Sequence, residues 1–277
     1  MKVVDTHAHV NFAAFKDDAA TVMKRAHDAG IGVVNVGTQY STSARAVKMA
    51  HEYGEAWAAI GVHPVHLRKG SFSYADSEEL EPIEIHTRGE VFEYEKYLEL
   101  AKDEKVVAIG EVGLDYHHFE ETDDVEEFKA RQKETLIEHI KIANEVGKPV
   151  MIHCWDAYPD LLAILTENPV KKTGVIHSFV GGYKTARKFV ELGYAIGVNG
   201  IATYSDTYKR LIREIGLEHI VLETDCPYLA PGKKKGERNE PANVVIVAEF
   251  IAETLEIPLE TILKETTMNA ERLFNLR

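Results

Sequence analysis

The sequence predicts an α/β protein, a single (β/α)₈ TIM barrel spanning residues 1–277. Three observations carry that prediction. Short apolar, β-rich runs alternate with amphipathic helical stretches from one end to the other, the pattern of repeated βα units on a parallel sheet. Eight strand candidates are separated or followed by helices, which favours a closed barrel over an open doubly wound sheet. The length of 277 residues suits one barrel, which takes roughly 250, and no repeat, low-complexity tract or linker divides the chain.

The strands are expected at residues 3–5, 32–36, 57–61, 106–110, 150–153, 174–177, 194–198 and 220–223, each a short run dominated by Val, Ile, Leu or Ala. Helices are expected at 17–29, 43–53, 95–103, 125–146, 158–166, 184–192 and 208–215. A further helix runs from Pro241 to about residue 255, with the proline suited to a first helical turn. Two shorter helical pieces close the chain, at 259–264 and 270–274. One segment breaks the rhythm. Residues 67–94 are rich in acid (Asp76, Glu78, Glu79, Glu81, Glu84, Glu90 and Glu93). Residues 82–92 suggest a small hairpin turning near Arg88-Gly89. Following the third strand, this insertion overhangs the face where barrel active sites lie, either as a lid or as a solvated surface loop.

Composition narrows the class. Hydrophobic residues make up 45% and charged residues 28%, ordinary usage for a globular chain that buries a large core without staples. Cys154 and Cys226, the two cysteines, form no disulfide framework, which fits a reducing compartment. The first residues carry Asp5 and His7 where a signal peptide needs an apolar run, and no stretch approaches the ~18 apolar residues of a membrane span. The expectation is a cytoplasmic protein with no membrane partner. A net charge of -13 argues against an extended nucleic-acid surface. It leaves room for a small phosphate site, because bound divalent cations can dominate a local field.

The chemistry gathers at strand ends. His7 and His9 follow the first strand, Glu111 the fourth and Asp225 the eighth, while His153 ends the fifth and His177 the sixth. His7 and His9 are two apart, so strand alternation points both to one side. In a parallel barrel all strand C-termini share one face, so six imidazole and carboxylate groups converge there. That set suffices for two divalent cations sharing a ligand, with coordination left open for water and substrate. His27, His51, His139 and His219 fall on helices or helix ends, as surface or packing residues. Cys154 and Cys226 adjoin ligands, yet alternation turns them away as buried fillers. Lys233, Lys234 and Lys235 form the densest positive cluster, suited to DNA backbone capture or to a solvated loop. Tyr204 and Phe179 can stack a base or pack in the core.

Several stretches, in this order, carry a family likeness. They are Asp5-Thr6-His7-Ala8-His9, Gly61-Val62-His63-Pro64, Ile109-Gly110-Glu111-Val112-Gly113-Leu114-Asp115-Tyr116, Ile152-His153-Cys154-Trp155-Asp156-Ala157 and Val175-Ile176-His177-Ser178-Phe179. The run from Leu222 through Glu223-Thr224-Asp225-Cys226-Pro227 to Pro231 follows, with Arg238-Asn239-Glu240-Pro241 beyond it. The chain resembles the TatD family of metal-dependent deoxyribonucleases, within the amidohydrolase-like superfamily, essentially end to end. The resemblance implies a first metal on His7, His9, Glu111 and Asp225 and a second on Glu111, His153 and His177, with Glu111 bridging. Glu111 takes the place of the carboxylated lysine used by other amidohydrolase relatives.

The family's activity is metal-dependent hydrolysis of DNA phosphodiesters, and some members trim from the 3′ end. The resemblance therefore implies DNA, single-stranded or at 3′ ends, as substrate. It implies attack by a metal-activated water with Asp225 as proton acceptor. Glu111 and Glu223 are further catalytic candidates, Glu223 by orienting a ligand or receiving a proton. His63, Asp115, Tyr116 and Arg238 are candidate substrate contacts. Zinc suits the imidazoles, while the carboxylates tolerate manganese or magnesium. Two departures bear on substrate size. The 67–94 connection is longer and more acidic than the family's usual one, and Val65 stands between Pro64 and His66. The same ligands also suit hydrolysis of a small amide, lactone or phosphoester, and a metal-binding barrel without turnover is a further alternative.

Overall fold

The computed structural model describes residues 1–74, 83–119 and 124–276. Its strands are β1 (Val3–Ala8), β2 (Ile31–Val36), β3 (Ala56–Ile60), β4 (Lys69–Tyr74), β5 (Ile83–Arg88), β6 (Val106–Asp115), β7 (Val150–Trp155), β8 (Val175–Ile176), β9 (Ala195–Val198) and β10 (Ile220–Leu222). All but β4 and β5 form one sheet in the order β1-β2-β3-β6-β7-β8-β9-β10, and every pairing in it is parallel. The last strand returns to the first. Ala8 bridges Cys226 in parallel register, His9 N–H donates to the Cys226 carbonyl at 2.9 Å, and Asp225 N–H donates to the His7 carbonyl at 2.8 Å. The expected eight-stranded α/β barrel is therefore the observed one.

The strands are buried on both faces, which explains their continuous apolar runs. Alternation sorts their side chains into two clusters. Val4, Val34, Val36, Trp57, Ala59, Ala108, Met151, Val175 and Val221 form an inner cluster, the packed interior of a barrel. Their neighbours Val3, Val33, Ala58, Ile109, Ile152, Ile176 and Leu222 belong to a larger cluster that includes the helices. Phe274 and Leu276 join the inner cluster, so the end of the chain plugs the barrel.

The helices are α1 (Ala19–Asp28), α2 (Tyr40–Glu52), α3 (Tyr94–Ala101), α4 (Val125–Val146), α5 (Tyr158–Glu167), α6 (Tyr183–Glu191), α7 (Asp206–Ile215), α8 (Val244–Leu255) and α9 (Leu259–Phe274). Helix α4 is bounded as its sequence dictates: Asp124 accepts from Glu127 N–H at 3.1 Å, and Gly147 ends the helix at φ 66°. Helix α2 starts earlier than residue 43, because Gln39 and Thr42 form a reciprocal capping box. The two expected C-terminal pieces are one helix, α9. Its middle is poor in helix formers, but Thr266 bonds back to the Ile262 carbonyl at 2.7 Å, and Asn269 donates to the carbonyls of Leu217 and Ile220. Tertiary contacts hold what propensity leaves weak. No helix among the described residues is long and apolar enough to cross a membrane.

The acidic insertion is a hairpin, but not the one expected. Its strands are β4 and β5, paired antiparallel from Lys69 with Arg88 to Tyr74 with Ile83. Arg88-Gly89 therefore leaves the second strand instead of forming the turn. Asp76, Glu78, Glu79 and Glu81 lie outside the described residues. Glu90 anchors the hairpin's exit: its N–H donates to the His66 carbonyl, and its carboxylate accepts from Tyr40 N–H at the start of α2 and from the Tyr97 hydroxyl.

Candidate metal centre

Two extra residues in the strands aim the candidate ligands. In β1, Asp5 pairs with Val33 but Ala8 pairs with Asn35, so one surplus residue sits between them. In β6, Ile109 pairs with Val150 and Val112 with Ile152, again with one to spare. Such bulges re-aim side chains. Val4 faces the inner cluster, and simple alternation from it would send His7 outward; the surplus residue reverses the phase, and His9 follows two residues on. In β6 the surplus falls at the cis Gly110–Glu111 bond. His7 and Glu111 thus lie within or beside bulged strands, not just past strand ends as the sequence suggested. His177 lies just past β8, and Asp225, at φ 56°, lies three residues past β10.

Glu111 sits at the centre. Its Oε2 is 3.5 Å from His7 Nε2 and 3.9 Å from His9 Nε2. Its Oε1 is 3.2 Å from His153 Nδ1, 3.5 Å from His177 Nε2 and 3.5 Å from His63 Nε2. Asp225 spans the same gap, with Oδ1 3.2 Å from His9 Nε2 and Oδ2 3.7 Å from His177 Nε2. His7 Nε2 and His9 Nε2 stand only 3.2 Å apart, and the rings of His7 and His177 stack at 3.4 Å. Buried imidazole lone pairs converging on carboxylates are a donor set that divalent cations satisfy. The residues fit the group. Candidate clusters of this kind are His7 with His9 and Glu111, His7 with His177 and Glu223, and His63 with Glu111 and His153.

The far nitrogens of three histidines are held, as metal-ligating imidazoles require. His9 Nδ1 meets the Val36 carbonyl at 2.9 Å, His177 Nδ1 meets Glu223 Oε2 at 3.1 Å, and His153 Nε2 meets Asp115 Oδ2 at 3.1 Å. His63 is different. Its Nδ1 accepts from Val65 N–H at 3.3 Å, so the neutral ring carries its proton on Nε2, the nitrogen facing the cleft. That makes His63 a hydrogen-bond donor to an anion in preference to a ligand. Burial, reinforced by the nearby His153 imidazole, holds the His63 ring well below the ordinary histidine range and keeps it neutral.

Charge couples the rest. Burial works to raise the Glu111 carboxyl, but the cluster of histidines around it, with the hydrogen bond from His153, holds it well below the usual range. Burial likewise opposes ionisation of Asp225, and His177 and His9 overcome it. Burial works to lower His153, yet hydrogen bonds to Asp115 and Glu111 lift it to about 10. His177 reaches about 9 against burial, through Glu223, Asp225 and Glu111.

A cleft of about 140 Å³ opens onto this cluster, where a single water needs roughly 10–15 Å³. His9, His63, Glu111, Asp115, His153, His177 and Asp225 line it. So do several residues that sequence reasoning did not single out: Phe12, Thr38, His66, His118, Trp155, Ser178 and Tyr228. Parity would have found Trp155, two residues beyond His153 on β7. Cys154 is buried, as expected, and also lines the cleft wall. Cys226 is a buried filler as expected.

Other candidates are placed elsewhere. Tyr116 is not among the residues lining the cleft; its hydroxyl donates to Asp160 at 2.8 Å. Arg238 is not among them either. It pairs with Asp18, donates to the Ala14 carbonyl at 2.7 Å, and lies 4.4 Å over the Phe15 ring. Its partners fasten the loop after β10 to the start of α1, away from the expected substrate contact. Lys233 pairs with Glu249 and Lys234 with Glu237. Phe179 packs against Tyr158 and Phe189, and the Tyr204 hydroxyl donates to Ala230. His139 is buried, whereas His51 pairs at the surface with Asp103.

Known proteins resemble this chain along its whole length. The model of the family described as TatD related DNase matches residues 4–275. An uncharacterized metal-dependent hydrolase of Bacillus subtilis, YabD, is 37% identical over 276 residues, covering 98% of each chain. The crystal structure of YjjV, a TatD homologue from Escherichia coli K12, superposes with a TM-score of 0.84 at 29% identity, covering 100% of this chain and 99% of that one. A TatD family hydrolase from Entamoeba histolytica shares the fold, with a TM-score of 0.79 at 20% identity and coverage of 99% and 98%. From its β1 histidines to its post-β10 aspartate, the chain belongs to the TatD related DNase family.

Proposed function

We propose that this protein is a metal-dependent phosphodiesterase that hydrolyses DNA, acting as one barrel domain on single strands or 3′ ends. The observation that carries the reading is Glu111, with one carboxylate oxygen facing His7 and His9 and the other facing His153 and His177. We assign a first divalent cation to His7, His9, Glu111 and Asp225, and a second to Glu111, His153 and His177. Zinc, manganese or magnesium suits this donor set.

When bound, such cations lower the pKa of a water towards ~7 and neutralise phosphate charge. The protein's own groups do the rest. Asp225 receives the proton of the attacking water, whose oxygen forms the new bond to phosphorus as the scissile P–O bond breaks, and the leaving oxygen takes up that proton from Asp225. Glu223 and Asp115 fix the His177 and His153 rings through their far nitrogens. His63 donates Nε2–H to a phosphate oxygen.

One observation favours a second reading, a small phosphoester as substrate. Among the described residues, no lysine or arginine lines the cleft, so a long polyanion finds no side-chain clamp there. The experiment is degradation of an end-labelled single-stranded oligonucleotide by metal-stripped protein with zinc, manganese or magnesium restored. Metal-restored cleavage that Glu111→Ala abolishes supports the nuclease reading. Turnover of small phosphoesters with intact DNA supports the second.

A further inference from the structure

We propose that Trp155 forms the wall of a nucleobase-binding subsite beside the metal centre, which makes a terminal nucleotide the unit this cleft recognises. The proposal rests on the phosphodiesterase reading and adds to it the part of the substrate that is not phosphate.

Trp155 ends β7, two residues after His153, and both line the cleft. It is only half-buried, unlike the aromatic rings of the core. Its ring is held in a fixed frame. His117 lies parallel to it at 4.5 Å and 7°, and His118 meets it edge-on at 5.0 Å and 83°. Each histidine is itself tied to a carboxylate, His117 to Asp156 at 2.9 Å and His118 to Asp115 at 2.8 Å. A rigid aromatic surface facing a cleft loses little entropy when a ligand ring settles on it.

Apolar side chains also line the cleft, among them Val180, Ile201 and Leu229. Charge in the cleft comes from the His and carboxylate cluster, since no lysine or arginine lines it among the described residues. The lining therefore asks for a ligand with one anionic end for the cations and one planar, weakly polar end for the indole. A nucleotide has both; a sugar phosphate has only the first. Stacking also requires a base free of its neighbours, which a strand end supplies most cheaply.

The test uses metal-loaded protein titrated with deoxyadenosine 5′-monophosphate and, as the base-free control, 2-deoxyribose 5-phosphate, by calorimetry and tryptophan fluorescence. Trp57, the other tryptophan, is buried in the inner core, so quenching by ligand reports Trp155. The nucleotide is expected to bind more tightly than the control and to quench emission. Trp155→Ala should weaken nucleotide binding about 5- to 150-fold, the equivalent of losing one stacked base, and shift the control by less than twofold. Trp155→Phe, which keeps an aromatic face, should recover most of the affinity and guards against misfolding of the alanine variant. Equal affinity for the two ligands, or an equal loss for both in Trp155→Ala with normal metal content, overturns the subsite. Failure of the phosphodiesterase reading looks different: DNA stays intact while nucleotide binding still depends on Trp155.

Discussion

Glu223 is fully buried with Oε2 3.1 Å from Nδ1 of His177, and the same oxygen accepts the Ser178 N–H at 2.9 Å. The space for that carboxylate exists because residue 197, on the neighbouring strand β9, is glycine. A Cβ there would fall 2.2 Å from Glu223 Oε1. Gly197→Ala should therefore displace Glu223 and release the His177 ring. Loss of such an outer partner typically lowers metal affinity 10- to 100-fold. Calorimetric titration with zinc or manganese measures it, and unchanged affinity in a folded Gly197→Ala variant would refute the positioning role.

Glu111 serves both groups of histidines, so its loss should not spare one cation. Glu111→Gln should abolish cleavage and lower metal content at both positions, read by elemental analysis after dialysis. Saturating metal should also stop protecting the fold. At one hundred times the dissociation constant, a ligand contributes about 2.7 kcal/mol, on the order of 5–10 °C in melting temperature for a chain of this size. The wild-type protein should show that rise and the variant should not. A full metal complement in Glu111→Gln would end the bridging assignment.

His139 carries a pH prediction of its own. It is buried, its Nδ1 donates to the Thr135 carbonyl at 2.7 Å, and its Nε2 accepts from Val62 N–H at 3.3 Å. Burial depresses its pKa to about 4. The unfolded chain takes up the proton near 6.5 and the folded chain only near 4. The contribution to stability is therefore complete above 6.5 and is lost as pH falls from about 6.5 to about 4. The full loss is about 3 kcal/mol by the usual conversion. Urea unfolding across that range should show a shallower acid limb in His139→Gln. Parallel limbs would disprove the assignment.

Two residues expected to touch substrate part company. His63→Ala removes a donor aimed into the cleft and should lower kcat/KM about 10- to 150-fold, as for a hydrogen bond to a charged group. Arg238→Ala breaks contacts with Asp18 and Ala14 outside the cleft and should lower the melting temperature while kcat/KM stays within twofold. Steady-state kinetics on a short oligonucleotide decide between them. The reverse ranking would return Arg238 to the substrate.

Most of the architecture was legible because parallel barrel strands are buried on both faces and alternate with amphipathic helices. The convergence of His7, His9, Glu111, His153, His177 and Asp225 followed from strand order alone. What was not legible depends on pairing register. A surplus residue between Asp5 and Ala8, or between Ile109 and Val112, leaves no compositional mark, yet it decides which way His7 and Glu111 point. The continuity of α9 and the register of the β4–β5 hairpin likewise depend on partners distant in sequence. The partners of Arg238 were not legible either: Asp18 and Phe15 are distant in sequence and adjacent in space.

The closure of the barrel has a consequence for biogenesis. The Thr6 hydroxyl donates to the Leu222 carbonyl across 216 residues of chain, and the Ala8–Cys226 bridge joins the strand bearing His7 and His9 to the loop bearing Asp225. During synthesis the two histidines precede their aspartate partner, which follows only after the seven later barrel strands. A nascent chain therefore carries His7, His9 and Glu111 well before Asp225 can join them.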